Sequence, residues 1–309
     1  MVAKPIGPLC NLDCAYCFYL EKQALYRAGE DFRMPDEVLS AFVRSYVNAQ
    51  PAPEAEFVWQ GGEPTLLGVD FFRRVVKLQA PFAGRKTITN SLQTNGTLLD
   101  DEWCRFLKEH RFMVGISLDG PKEIHDRYRR DRAGNGTFDS VMRGLRLAKK
   151  RGVAFNVMAS VARETASKPL DVYRFFKDEG VAFIQFTPII ERLPGASDNE
   201  MGLSLAAPAV PDAPERNREV TPWTVIAEEY GDFLIAIYEE WVRHNVGKVF
   251  VMNFDRPCPS SAQNARCWRP AGAGAPSTVS WRRAIPNTDC ITSARATRSS
   301  SGISASTCG

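Results

Sequence analysis

Residues 56–94 read EFVWQGGEPTLLGVDFFRRVVKLQAPFAGRKTITNSLQT and switch twice between two periods of hydrophobicity. EFVWQ (56–60) is short, apolar and aromatic or β-branched, and it breaks at paired glycines, as a strand does. VDFFRRVVKLQ (69–79) spaces its apolar residues three and four apart, which gives a helix one buried face. TITNSLQT (87–94) returns to strand character. A strand, a helix and a strand in that order predict a parallel pair joined by a helical crossover.

The alternation continues on both sides. Helices are expected at 36–48, 100–109, 138–150 and 169–179, and strands at 112–118, 154–161 and 181–190. A further strand at PIGPLC (5–10) brings the number of βα units to about six. The expected fold class is α/β. Residues 1–190 form a full or partial TIM-like (β/α)6 barrel, with a doubly wound open sheet as the rival. Residues 191–220 are rich in Pro, Gly and small polar residues and read as a loop or linker. A strong helix at 222–244 lies within a C-terminal extension covering 221–255.

From residue 256 the character changes. Residues 256–309 contain no Leu, Phe, Tyr, Met, Lys or Glu, and they carry seven Arg against one Asp. Such a stretch buries too little apolar area to offset its backbone entropy, so disorder is expected. An Arg, Ala, Ser, Pro and Thr mixture without Lys or Glu is also what a GC-rich gene yields out of frame. A frameshift near residue 256 is one reading, and a natural low-complexity tail is the other.

Hydrophobic residues at 44% and charged residues at 24% are ordinary for a globular chain. A net charge of +3 argues against a nucleic-acid partner. No apolar run approaches the roughly 20 residues that span a bilayer, so no membrane partner is expected. MVAKPIGPLC has no signal-peptide pattern, which predicts a cytoplasmic protein with reduced thiols. Eight cysteines in that setting suggest metal or redox chemistry before disulfides.

Three of them form C-x3-C-x2-C, as Cys10, Cys14 and Cys17. Thiolates are the natural ligands of iron–sulfur clusters, and three of them leave one iron of a [4Fe–4S] cluster open to another ligand. Buried spare cysteines or a zinc site are the alternatives, although zinc usually takes four protein ligands and no fourth lies nearby. Tyr16, Phe18 and Tyr19 surround the last cysteine and would make a dry shell. Gln60-Gly61-Gly62-Glu63-Pro64 follows the strand at 56–60. Paired glycines let a ligand approach the backbone, and Glu63 offers a carboxylate to an ammonium group; an ordinary turn with a solvated Glu is the plainer reading. Gln93-Thr94-Asn95-Gly96 and Ser117-Leu118-Asp119-Gly120 end two further strands, where a parallel barrel gathers its functional groups, unless each merely turns the chain. Cys104 lies in a helix and reads as an inert core thiol.

CNLDCAYCFYL (10–20) is similar to the cluster loop of radical S-adenosylmethionine enzymes. With KPIGPLC before it, the chain looks most like the anaerobic sulfatase-maturating enzymes of that superfamily, over roughly residues 3–254. The resemblance implies a [4Fe–4S] cluster on Cys10, Cys14 and Cys17. It implies S-adenosylmethionine held by Gly61, Gly62, Glu63 and Pro64, with Asn95, Ser117 and Asp119 assisting. HDRYRRDRAGNGTF (125–138) resembles another family segment and puts Arg129 near the cofactor carboxylate, against the plainer reading of a solvated basic loop. IQFTPII (184–190) would line the adenine or simply fill core. Tyr19 and Gln60 would touch a peptide or protein substrate of sulfatase type, and a flavodoxin or ferredoxin would supply electrons. The implied reaction is oxidation of a Cys or Ser side chain to Cα-formylglycine. Modification of another ribosomal peptide, or a cluster-binding protein without turnover, are the alternatives. The family also carries two auxiliary clusters and a Cys-Asp pair after the barrel. No CxxC and no Cys-Asp occurs after residue 255 here, so no catalytic base is identified. Resequencing the coding DNA checks the frameshift: the other frame past residue 256 is expected to give a Leu- and Cys-bearing continuation, and a frame without one refutes it.

Overall fold

The computed structural model describes residues 1–27, 29–200, 202 and 219–254. In chain order these form β1 (Val2–Ala3), α1 (Asp36–Ala49), β2 (Glu54–Trp59), α2 (Val69–Gln79), β3 (Thr87–Thr94) and α3 (Asp101–Glu109). Then come β4 (Met113–Ser117), α4 (Lys122–Tyr128), α5 (Phe138–Arg151), β5 (Ala154–Val161), α6 (Arg163–Ala166) and α7 (Pro169–Asp178). The described chain ends with β6 (Phe183–Pro188), α8 (Ala196–Glu200), α9 (Ala227–His244) and β7 (Phe250–Val251).

The seven strands form one sheet whose order follows the chain from β1 to β7, and every pair is parallel. A doubly wound sheet must reverse its strand order somewhere, so that rival is excluded. Right-handed crossovers that always step to the next strand keep their helices on one side and curl the sheet, which gives a partial TIM-like barrel. Among the described residues no pairing joins β7 to β1, and the barrel is open. No described helix is long and apolar enough to cross a membrane.

The pleat explains the two faces. Strand β2 buries Ala55, Phe57 and Trp59, every second residue. The Trp59 ring meets Phe71 and Phe72 of α2 edge-on, at 6.3 and 5.9 Å between centroids. Phe72 in turn meets Trp103 at 5.5 Å and Phe112 at 6.2 Å, tying α3 and the residue that leads into β4 to the same aromatic core. Asn90 is a polar residue on this buried face, and its partners account for it. Its Oδ1 accepts from Trp59 Nε1 and Gln79 Nε2, and its Nδ2 donates to Gln79 Oε1. The other face is polar and half-buried, with Ser91, Gln93, Ser117, Asn156 and Ser160. Gln93, Gly115 and Asn156 stand level across three strands. A Cβ on Gly115 would lie 2.0 Å from Gln93 Oε1, so the glycine is what lets the Gln93 side chain lie across β4.

Two expectations are corrected. PIGPLC is a turn and not a strand. Gly7 sits at φ +57° and donates to Lys4 O at 3.3 Å, and Pro5 and Pro8 have no N–H for a sheet. The strand that opens the sheet lies before it, at Val2–Ala3. The helix expected from 222 starts at Ala227, because the preceding turn is fastened to the segment that leaves β6. Thr224 Oγ1 exchanges hydrogen bonds with Glu191 N and O, and Val225 N donates to Ile189 O. The 191–220 linker is described only at its ends, where Arg192 and Val220 bridge, and residues 256–309 lie outside the described residues.

Phe72→Ala removes a fully buried ring at the junction of three elements and is expected to cost about 3–5 kcal/mol. Urea unfolding of both proteins measures this, and a loss below about 1 kcal/mol would show that the aromatic core does not couple β2, α2 and α3.

Candidate functional site

Parallel strands bring all their C-terminal ends to one rim, and the cysteine loop is fastened there. Asp13 N donates to Arg130 O at 2.8 Å and Ala15 N to Tyr128 O at 3.0 Å. Arg132 Nε donates to Cys10 O at 2.9 Å. Cys10, Cys14 and Cys17 are free and half-buried. Burial pushes the Cys10 thiol up to about 11, against a hydrogen bond from Leu12 N, and the neighbouring Cys17 adds to the rise. Burial pushes Cys14 up to about 12, opposed by Arg129 and reinforced by Cys17 and Cys10. The three thiols therefore stand within electrostatic reach of one another. Among the described residues no three His, Cys, Asp or Glu side chains converge on a single ion. A cubane makes a different demand, one thiolate for each of three separate irons, and three cysteines on one loop that feel one another's charge fit it.

The Gly61–Pro64 turn packs against the start of this loop. Glu63 N donates to Leu9 O at 2.8 Å. A Cβ on Gly62, which sits at φ +54°, would lie 2.2 Å from Leu9 O and 2.8 Å from Gly7 O. The close approach that this glycine permits is thus made by the chain's own backbone. Glu63 is not solvated; it is 1% exposed. Its Oε1 accepts from Thr65 N at 3.0 Å, Thr65 Oγ1 at 2.6 Å and Thr94 Oγ1 at 2.8 Å, and its Oε2 accepts from Asn95 N at 2.7 Å. Burial pushes the Glu63 carboxyl up, and these donors pull it back. Pro64 is buried at the start of the short turn that follows.

Asn95 carries the connection on to the cysteines. Its Nδ2 donates to Asn11 Oδ1 at 2.8 Å and lies 3.8 Å from Cys10 Sγ, while its Oδ1 accepts from Thr97. Asn11 Nδ2 donates to Thr97 Oγ1 at 2.9 Å. A second buried group lies under Cys14. Asp119 Oδ2 accepts from Arg129 Nε at 2.8 Å and from the Tyr16 hydroxyl, and its Oδ1 accepts from Ser160 N at 2.9 Å. Arg129 is 8% exposed, which corrects the reading of a solvated basic loop. It also donates to Ser160 Oγ at 3.2 Å and lies 5.5 Å from the Tyr16 ring centre. Burial raises the Asp119 carboxyl, but Arg129 outweighs it and holds the group below the usual carboxylate range. Asp119 N donates to His125 Nδ1 at 3.3 Å, so His125 is neutral with its proton on Nε2 toward Thr137 Oγ1, which donates to Arg129 O.

Ser117 is half-buried and accepts from Gln93 Nε2 at 3.1 Å. Tyr19 and Gln60 are both half-buried. Lys4 Nζ stands 4.5 Å over the Tyr19 ring, and Gln60 N is spent on Ala3 O. Cys104 is fully buried in the core. Sequence reasoning missed Thr94, Thr65, Asn11, His125 and Ser160 as members of this framework.

The sequence model of the Radical SAM superfamily matches residues 5–176. The chain belongs to this superfamily. Its members use a [4Fe–4S] cluster and S-adenosylmethionine. Among curated proteins, a serine-type anaerobic sulfatase-maturating enzyme of Bacteroides thetaiotaomicron is 42% identical over 255 residues, covering 82% of this chain and 60% of its own. A cysteine-type enzyme of Clostridium perfringens is 41% identical over 194 residues, covering 62% of this chain and 52% of its own. A solved structure described as native anSMEcpe with bound AdoMet and Cp18Cys peptide superposes with a TM-score of 0.68 at 34% identity, covering 82% of this chain and 63% of that one. This radical SAM chain thus spans about 60% of the length of the relatives it matches.

Burial lowers His125 to about 4 from 6.5, so it stays neutral in the fold while it protonates in the unfolded chain. Its contribution is complete above pH 6.5, shrinks as pH falls, and is gone near pH 4, on the order of 3 kcal/mol in all. Asp119, Arg129 and Asp126 are the charged groups that face it. Unfolding measured at pH 7.5 and 4.5 is expected to show a smaller loss on acidification in His125→Gln than in wild type, and equal losses would refute the assignment.

Proposed function

We propose that this chain is the radical-generating part of an anaerobic sulfatase maturase, acting in a reducing cytoplasm with a flavodoxin- or ferredoxin-like electron donor. The observation that carries the reading is the fastening of the Cys10–Cys17 loop to the strand-end rim through the buried Glu63 and Asp119 carboxylates. Cys10, Cys14 and Cys17 would hold the [4Fe–4S] cluster, and Gly61, Gly62, Glu63, Pro64, Asn95, Ser117, Asp119 and Arg129 would form the S-adenosylmethionine cradle. When bound, these groups supply a 5′-deoxyadenosyl radical through reductive cleavage of the cofactor.

The chain's own side chains orient and exclude water. Glu63 and Asp119 are 1% and 0% exposed, so in this reading they position the loops around the cofactor and leave direct contact to neighbouring backbone and to Ser117. The buried Tyr16 and Tyr128 rings, 5.8 Å apart, keep the Cys14 side dry. An extended peptide would lie along the polar inner face, where Gln93, Ser117, Asn156 and Ser160 offer hydrogen bonds, with Tyr19 and Gln60 at its mouth. The relatives include serine-type and cysteine-type enzymes, so either side chain is a candidate for conversion to Cα-formylglycine.

A second reading, a cluster-binding protein that cleaves the cofactor without converting peptide, rests on the altered composition of residues 256–309, which contain no Leu, Phe, Tyr, Met, Lys or Glu. Anaerobic reconstitution, iron counting and assay of 5′-deoxyadenosine and of peptide mass separate the two. Wild type is expected to bind about four irons and cleave the cofactor. Cys14→Ala is expected to lose both. A wild type without iron, or a cluster that survives Cys14→Ala, overturns the proposal; cleavage without peptide conversion selects the second reading.

A further inference from the structure

We propose that Gln93 is a positioning residue for Ser117: it fixes the serine hydroxyl so that its one proton is presented to an oxygen acceptor of bound S-adenosylmethionine. The strand register builds the pair. Gln93 stands level with Gly115, and Ser117 lies two residues further along β4 on the same face. Gln93 Nε2 crosses to donate to Ser117 Oγ at 3.1 Å.

Gly115 serves this crossing and nothing else in its own strand. It is buried in the middle of β4 and is not among the glycines with positive φ, so its backbone conformation is open to any residue. A glycine there weakens a strand. A Cβ at this position would lie 2.0 Å from Gln93 Oε1 and 3.0 Å from Gln93 Cδ, so any other residue would push the amide off its path.

The backbones on both sides are already held. Directly after Gln93, Thr94 Oγ1 and Asn95 N donate to Glu63. After Ser117, Leu118 N donates to Met158 O and Asp119 is locked by Arg129. The freedom that remains is the rotation of the Ser117 hydroxyl. A hydroxyl has one proton and two lone pairs. Gln93 occupies a lone pair, and no other described group bonds Ser117 Oγ, so the proton is left to donate outward from the half-buried inner face. Ser117 is the last residue of β4, at the rim beside Asp119, which places the acceptor on the cofactor and not on a peptide deeper along the strands.

The role rests on the cofactor reading above, and the test keeps the two apart. Affinity for S-adenosylmethionine is measured on the iron-counted, reconstituted full chain by equilibrium dialysis and by the cofactor-induced change in the EPR spectrum of the reduced cluster. Gln93→Met and Ser117→Ala are each expected to weaken the cofactor about tenfold, and the double variant no more than either alone. Gln93→Glu, whose carboxylate only accepts, turns the Ser117 proton inward and is expected to weaken it at least as much. In the chain as isolated, without cluster, Gly115→Ala is expected to lower the urea midpoint, and adding Gln93→Ala to recover part of the loss. Wild-type affinity in Gln93→Met or Gln93→Glu, additive losses in the double variant, a loss confined to the peptide KM, or a Gly115→Ala defect that Gln93→Ala does not relieve overturns the positioning role alone. A wild-type chain that holds no iron, or that binds no S-adenosylmethionine, overturns the cofactor reading and this role with it.

Discussion

The rim of this barrel is organised around one buried carboxylate. Glu63 leaves the end of one strand, and its oxygens accept from the hydroxyl of Thr94 and the amide of Asn95 at the end of the next. Charge-assisted hydrogen bonds of this kind are strong, and in a site with 1% exposure water does not compete for them. The clasp fixes Asn95, Asn95 fixes Asn11, and Asn11 is the neighbour of Cys10. A network with so many members satisfied also sets the backbone of the Gly61–Pro64 turn, against which residues 7–9 close in.

Asp119 repeats the device on the far side of the cysteine loop with a different partner. There the buried carboxylate is neutralised by Arg129, and Tyr16 of the cysteine loop joins the same oxygen. A neutral His125 closes the framework beneath it. The two carboxylates use the same economy: both are removed from solvent, and both hold a loop that carries no regular secondary structure of its own.

Much of the fold was legible because its signals are local. The period at 69–79 and the pleat at 54–59 each reflect one element burying one side, and the residues that report it are consecutive. PIGPLC misled because its apolar character is real, while its two prolines and Gly7 decide the backbone. The helix at Lys122–Tyr128 went unread because it is short and its buried positions include His125, which hydropathy treats as a surface residue. In the site, the cysteine triad was legible because its ligands sit on one loop. The roles of Glu63, Asp119 and Arg129 were not, since their partners come from elsewhere in the chain: Tyr16 and Asp119 are 103 positions apart. A local motif announces that a carboxylate is present, and only the fold says whether it faces a ligand or a threonine.

The two strands at the margins of the sheet are two residues long each, Val2–Ala3 and Phe250–Val251. An unclosed sheet ordinarily invites other chains to add themselves along its border, which is the route to polymers and fibres. Margins this short expose too few unpaired peptide groups to template such growth. A barrel can therefore stay ajar without becoming adhesive to its own kind.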